Sequence, residues 1–97
     1  MEIKKVMVVG AGLMGSGIGQ ACAQAGIDVF LNDASTDAME KALENIGWSV
    51  GKFIDKGILT EDKDTILGRI STVTDLDVGT EVDMIIEAVF EDIDQHW

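Results

Sequence analysis

The 97-residue sequence predicts an α/β fold built on a parallel sheet of about four strands. Three observations carry that prediction: a short apolar run that ends in three spaced glycines, a small-residue helix after it, and a second apolar run closed by an acid. Ile3 to Val9 is almost unbroken in apolar character, with β-branched Val6, Val8 and Val9, as in a parallel strand covered on both faces. It stops at Gly10-Ala11-Gly12-Leu13-Met14-Gly15, a G-x-G-x-x-G pattern placed directly after a strand and opening a helix. In that context Gly10 makes the tight turn, Gly12 lets the backbone approach a pyrophosphate, and Gly15 lets the helix lie close to the sheet. The unpaired amides of the helix start then face the diphosphate.

The elements follow in order. From Met14, apolar or small residues recur at Ile18, Ala21, Cys22 and Ala25, one stripe of a helix that leaves Gln20 and Gln24 wet, and Gly26 supplies the stop. Asp28 to Asn32 is the second strand. Asp33 stands at its end, 23 residues past Gly10, where an acid accepts hydrogen bonds from both hydroxyls of an adenosine ribose. The period then changes: Met39, Leu43, Ile46, Val50 and Phe53-Ile54 recur at three and four, so Ser35 or Thr36 caps a helix to about Asp55. Gly47, Ser49 and Gly51 within it imply close packing or a weak turn, and Trp48 reads as a partly covered packing residue. Lys56-Gly57 ends the helix, and Thr60, Glu61 and Asp62 read as the cap and acidic first turn of a short helix reaching Leu67. Arg69 to Thr74 is the third strand, Asp75 to Glu81 a connection, and Asp83 to Val89 the fourth strand with a core-like centre. Glu91-Asp92-Ile93-Asp94 opens a further helix that Trp97 cuts short. The whole is a Rossmann-type βαβ unit with strand order 3-2-1-4, too short for the second half of a doubly wound fold.

Charge and composition narrow the function. Residues 1 to 32 carry no net charge, whereas residues 33 to 97 hold 16 acids against five bases and account for the whole net charge of -11. Asp75 to Trp97 holds eight acids and no Lys or Arg. Such a surface repels nucleic acid and anionic membrane. No stretch reaches the roughly 20 apolar residues of a membrane span, and the N-terminal apolar run is explained by the first strand rather than a signal peptide. Cys22, the single cysteine, makes no intrachain disulfide and reads as a small buried thiol of a reducing compartment. One Cys and one His give no zinc set, so no metal is expected.

The segments VMVVGAGLMGSGIGQACAQAG, VFLND, KGILTEDKDTILGRISTVTDL and DMIIEAVFEDID together make the chain resemble the 3-hydroxyacyl-CoA dehydrogenases, and among them the bacterial 3-hydroxybutyryl-CoA dehydrogenases. The resemblance covers essentially all 97 residues. It implies a cytoplasmic, NAD-dependent enzyme that interconverts a 3-hydroxyacyl-CoA and its 3-oxoacyl-CoA by hydride transfer, with residues 1–97 as part of the NAD-binding domain. Gly10, Gly12 and Gly15 fall on the family's diphosphate loop, with Leu13 and Met14 touching cofactor, and Asp33 on its ribose-binding acid. Ala88, Val89 and Glu91 fall on the segment beside the nicotinamide half; on residue chemistry alone, Glu91 is an ordinary first-turn acid.

The resemblance also implies that no catalytic residue lies here. His96, the only histidine, invites a role as base. The family's catalytic histidine and its orienting glutamate come later, however, and His96 falls where the family usually has a lysine. The chain is therefore expected to bind cofactor and to lack turnover. Two alternatives from other classes are a standalone nucleotide-binding regulatory module and an assembly component without chemistry. With the fourth strand at the sheet edge, self-association or a homodimer through that edge is expected.

Overall fold

The structure, a computed structural model, describes residues 2–75 and 81–88. The elements are β1 (Lys5–Val9), α1 (Leu13–Gln24), β2 (Asp28–Asn32), α2 (Thr36–Asp55), α3 (Lys63–Leu67), β3 (Ile70–Val73) and β4 (Met84–Glu87). All strand pairings are parallel and the sheet order is β3-β2-β1-β4, as the sequence predicts. Val89, Glu91, the helix expected from Glu91 onward, His96 and Trp97 lie outside the described residues.

Register explains why the strands read as apolar runs. Val6, Val29, Ile70 and Met84 are aligned across the sheet, as are Val8, Leu31, Thr72 and Ile86, so these rows share one face. The helices cover that face: Ala23 of α1, Met39, Ala42, Ile46 and Val50 of α2 and Ile66 of α3 form one cluster with Val6, Val8, Val29, Leu31 and Ile70. Each Val, Leu, Ile or Met side chain buried this completely contributes about 1.5–3 kcal/mol before chain entropy is set against it. The opposite row carries Met7, which is fully buried, and Phe30, which is half-buried.

Helix ends follow local chemistry. Ser35 caps α2, its hydroxyl accepting from Ala38 N at 3.1 Å. Both α1 and α2 finish in a six-to-one and five-to-two pair of hydrogen bonds around a positive-φ glycine: Ile27 N to Cys22 O and Gly26 N to Ala23 O, then Ile58 N to Phe53 O and Gly57 N to Ile54 O. The glycines within α2 do not break it. Gly47 is buried, and an added Cβ would reach Leu67 at 3.7 Å, so the close-packing expectation holds against α3.

Three local expectations are corrected. On α1 the buried positions are Gly15, Ser16, Gly19 and Ala23, while Met14, Ala21 and Ala25 are exposed and Ile18 and Cys22 are half-buried. The helix lies so near the sheet that its smallest side chains face inward: a Cβ at Gly19 would meet Val29 at 3.7 Å and Leu31 at 3.9 Å. The cap of α3 is Asp62 rather than Thr60, and its side chain makes no capping hydrogen bond. The fourth strand is shorter than expected and its centre is not core-like. Ile85 is 53% exposed because β4 is an edge strand.

That edge strand is fastened at its entry. Asp83 Oδ2 accepts the amides of Lys4 at 2.8 Å and Lys5 at 3.0 Å, and Asp83 N donates to Lys5 O at 2.9 Å. The Lys4 amide first, then the Lys5 amide and, more weakly, the two ammonium charges hold the Asp83 carboxyl below its ordinary range. A carboxylate depressed in the folded state stabilises fully above its unfolded pKa of about 3.9, and that contribution is lost as pH falls through the folded value. Asp83→Asn is expected to lower stability at neutral pH and to flatten the decline in the acid window below about pH 4. Urea unfolding across that window checks it; a pH profile superimposable on the parent would show that the latch contributes nothing.

Candidate functional site

A cleft of about 780 Å³ opens at the carboxyl end of the sheet, lined by Val9, Gly10, Gly12, Leu13, Met14, Asn32, Asp33, Ala34 and Ala88. It lies where β1 is flanked by β2 on one side and β4 on the other, the point at which strand order reverses and open α/β sheets take ligands. Its size is within the roughly 300–1,000 Å³ of small-molecule sites.

The first turn is built from backbone contacts. Gly10 adopts φ +104°, and its N–H donates to Asn32 O at 2.7 Å. Gly15 then brings α1 against the turn: an added Cβ would lie 1.7 Å from Gly10 O and 3.6 Å from the Ala88 side chain. Gly12 behaves differently. It is the N-cap of α1 in extended conformation, and a Cβ there would meet nothing within 4 Å. Gly15 is therefore required by the fold, while the space over Gly12 is open for a ligand. Ser16, although in the helix interior, closes the turn with its hydroxyl on Gly12 O at 2.8 Å.

Asp33 faces the cleft from the end of β2. Its Oδ2 accepts Ala11 N at 2.9 Å and its Oδ1 accepts Ser35 N at 2.9 Å. The Ala11 amide, then the Ser35 amide and lastly that of Ala34 hold its carboxyl below the ordinary range, against a smaller opposing effect of burial. It is ionised at neutral pH. Asn32 is buried beside it, and its side-chain N–H groups donate to Val73 O at 3.2 Å and Asp75 O at 2.8 Å, tying the exit of β3 to β2. Ala88 N donates to Val9 O at 2.8 Å, which brings the residue after β4 to the cleft wall. Leu13 is 92% exposed and Met14 also faces solvent, so the lip of the cleft is apolar.

Of the residues singled out in the sequence, Gly10, Gly12, Leu13, Met14, Asp33 and Ala88 share this one cleft, with Gly15 behind it. Val89 and Glu91 lie outside the described residues. Sequence reasoning missed the wall residues Val9 and Ala34, for which only their position beside the motif residues gives a signal. It also missed the amides on Asp33, which no spacing rule encodes. Trp48 departs from its expected packing role: it is 68% exposed, with Lys52 Nζ 5.3 Å from the ring centroid. It lines a second cleft of about 420 Å³ between α1 and α2 that shares Leu13 with the first. Cys22 is half-buried, and burial raises its thiol pKa, away from nucleophilic use. Among the described residues no group of three metal-ligating side chains occurs, and no helix is long and apolar enough to cross a membrane.

A parallel sheet in this order, with a glycine turn, an open helix start and an acid after β2, defines a dinucleotide-binding α/β domain. Residues 5–96 match the family described as 3-hydroxyacyl-CoA dehydrogenase, NAD binding domain, and the chain belongs to that family. A probable 3-hydroxybutyryl-CoA dehydrogenase of Deinococcus radiodurans is 41% identical over 87 residues, covering 90% of this chain and 31% of the relative. The crystal structure of (S)-3-hydroxybutyryl-CoA dehydrogenase from Ralstonia eutropha superposes with TM-score 0.87 at 41% identity, over 98% of this chain and 34% of that one. The 3-hydroxybutyryl-CoA dehydrogenase of Escherichia coli gives TM-score 0.88 at 31% identity, over 98% and 20% respectively. The chain thus spans about a third of the length of its bacterial 3-hydroxybutyryl-CoA dehydrogenase relatives.

The two glycines separate fold from site. Gly15→Ala is expected to cost at least about 1–3 kcal/mol of stability, because backbone must move away from the new methyl. Gly12→Val should keep the parent's unfolding curve and lose NADH binding. Thermal unfolding with a fluorescence titration of NADH reads both; the reverse pattern would assign the close helix contact to the wrong glycine.

Proposed function

We propose that this chain is the cofactor-binding part of a dehydrogenase that interconverts a 3-hydroxyacyl-CoA, of the 3-hydroxybutyryl-CoA type, and the matching 3-oxoacyl-CoA. The observation that carries the reading is the single cleft that joins the glycine turn, Asp33 and Ala88. In this reading residues 1–97 form a partial Rossmann domain. Gly10, Gly12 and Gly15 shape the diphosphate wall, and Leu13 and Met14 cover the cofactor from the apolar lip. Asp33 takes the adenosine ribose hydroxyls, and Ala88, Val89 and Glu91 run beside the nicotinamide half. Bound NAD supplies the hydride acceptor for the alcohol carbon. The chain's own share is to hold and orient that group and to keep water from one of its faces.

A proton acceptor for the alcohol is a separate need, and among the described residues the cleft offers none of the right kind. Asp33 is its one titratable lining residue among those described, and a carboxylate held below its usual range by amides is a weak base. In this reading the acyl-CoA substrate belongs to the intact enzyme, and the base is a residue other than Asp33. The family and the reducing-compartment reading of Cys22 support a cytoplasmic location.

NADH is expected to bind more tightly than NADPH, since a 2′-phosphate would meet the ionised Asp33. With acetoacetyl-CoA the 97-residue chain should show no appreciable NADH oxidation. Calorimetric titration of the two cofactors and a rate assay over a range of protein concentrations test both points. Equal or stronger NADPH binding would sink the cofactor assignment, and robust turnover lost in His96→Ala would make His96 catalytic.

Association of two copies through β4 is the partner reading. Met84 and Ile85 are exposed on an edge strand whose neighbourhood is rich in acids, so pairing gains apolar burial and backbone hydrogen bonds while like charges resist it. Added salt screens that repulsion. Sedimentation should show a dimer that strengthens with salt and is lost in Ile85→Lys; a monomer insensitive to both salt and concentration would contradict it.

A further inference from the structure

The glycine turn is gripped twice from the end of β2. Gly10 N donates to Asn32 O at 2.7 Å, and the next amide, Ala11 N, donates to Asp33 Oδ2 at 2.9 Å. Ala11 is buried and Asp33 half-buried, so removing Asp33 takes a fixed protein partner from this amide. The Ala11 carbonyl receives the longer branch of the Ser16 hydroxyl at 3.3 Å, the shorter going to Gly12 O. Ala11 is thus fixed by side chains at both its donor and its acceptor. On the other side of the same carboxylate, Oδ1 accepts Ser35 N at 2.9 Å, which holds the group in one orientation at the head of α2. A residue whose sole task was to meet a ribose would not need both oxygens committed to the chain's own amides.

We propose that Asp33 is also the positioning residue of the glycine turn: through Ala11 it sets Gly12 at the height where a diphosphate meets the backbone. The inference rests on the NAD-binding reading for the identity of the ligand and deepens it. Ribose selection and diphosphate binding then depend on one carboxylate. Neutralising Asp33 to admit a 2′-phosphate would loosen the turn that every dinucleotide needs, so selectivity could not be relaxed at this position without losing affinity for the unphosphorylated cofactor as well. A carboxylate accepts from two amides; an asparagine there would accept one and turn its own donor toward the other.

Inorganic pyrophosphate separates this role from simple ribose contact, because it has no ribose. For a pure ribose ligand, Asp33→Asn removes a negative charge near an anion site and leaves pyrophosphate affinity unchanged or raised. For a positioning residue the affinity falls, by about fivefold if the Ala11 amide bond is lost. The experiment is an amide-resolved NMR titration of the 97-residue chain and of Asp33→Asn with pyrophosphate, alongside hydrogen exchange at Ala11 and the thermal midpoint of each. Weaker pyrophosphate binding with faster Ala11 exchange, in a variant still folded at the titration temperature, is expected; equal or tighter binding overturns the proposal. Should Asp33→Asn fail to fold, the bond is read in the unsubstituted, ligand-free chain as a through-hydrogen-bond coupling between the Ala11 amide nitrogen and the Asp33 carboxyl carbon. Its absence also overturns the role. Coupling present with no pyrophosphate bound by the unsubstituted chain would count against the diphosphate reading, and with it against this one.

Discussion

The contact between α1 and the first turn, with Gly15 lying against the Gly10 carbonyl, constrains both the packing of α1 and the shape of the cleft. No side chain fits between them, since a Cβ at Gly15 would lie 1.7 Å from that oxygen. Once the helix is this close, its inward positions must be small, and they are: Gly15, Ser16, Gly19 and Ala23. Close approach then aligns the first amides of α1 with the carboxyl end of β1, where the turn itself has left open space above Gly12. Packing and binding geometry are therefore one constraint, met at successive positions of the same motif.

Both ends of the sheet set a carboxylate on backbone amides, Asp33 at one and Asp83 at the other, and the amino end adds an arginine bridge. At the carboxyl end the ties are backbone amides and short side chains: Gly10 to Asn32, Ala11 to Asp33, Asn32 to Val73 and Asp75, Ala88 to Val9. Below the amino end of β3, Arg69 bridges two elements, its Nη1 donating to Ala23 O at the end of α1 at 2.8 Å while its fork pairs with Glu61. An arginine is suited to that place because its planar donors reach a carbonyl and a carboxylate together. It would be poorly suited to the cleft, where a long side chain would occupy the space a ligand needs.

Much of this was legible because period and punctuation agree. The second strand runs from Asp28 to Asn32 as the apolar run indicates, the Ser35 cap and the α2 terminus follow their local signals, and strand order follows from the motif. The buried face of α1 was misread because hydrophobicity was used as the sign of burial. When two backbones nearly touch, absence of a side chain is the sign, and Met14 and Ala21 are left outside. Thr60 was misread as a cap because Thr, Glu and Asp in sequence offer several equivalent starts, and hydrogen bonds rather than residue type decide among them. Trp48 was misread for a related reason: its helical spacing is compatible with packing, but Gly47 beside it takes the buried position against α3.

The same distinction bears on Asp33. Its position could be read from spacing, and the motif raises the expectation of a ribose role, but its state could not be read. Two amides from opposite sides keep the carboxyl ionised and oriented. An acid in that condition is a good fixed hydrogen-bond acceptor and a poor proton carrier, because the stabilised anion resists protonation. The alcohol oxidation proposed for the intact enzyme has two halves, a hydride and a proton. The described cleft has an apolar lip, an open backbone and one anion held by two amides, features suited to holding a dinucleotide. A residue that gives and receives protons near neutrality needs the opposite surroundings, with neither form strongly preferred, and the amides that make Asp33 useful to the turn exclude it from that part.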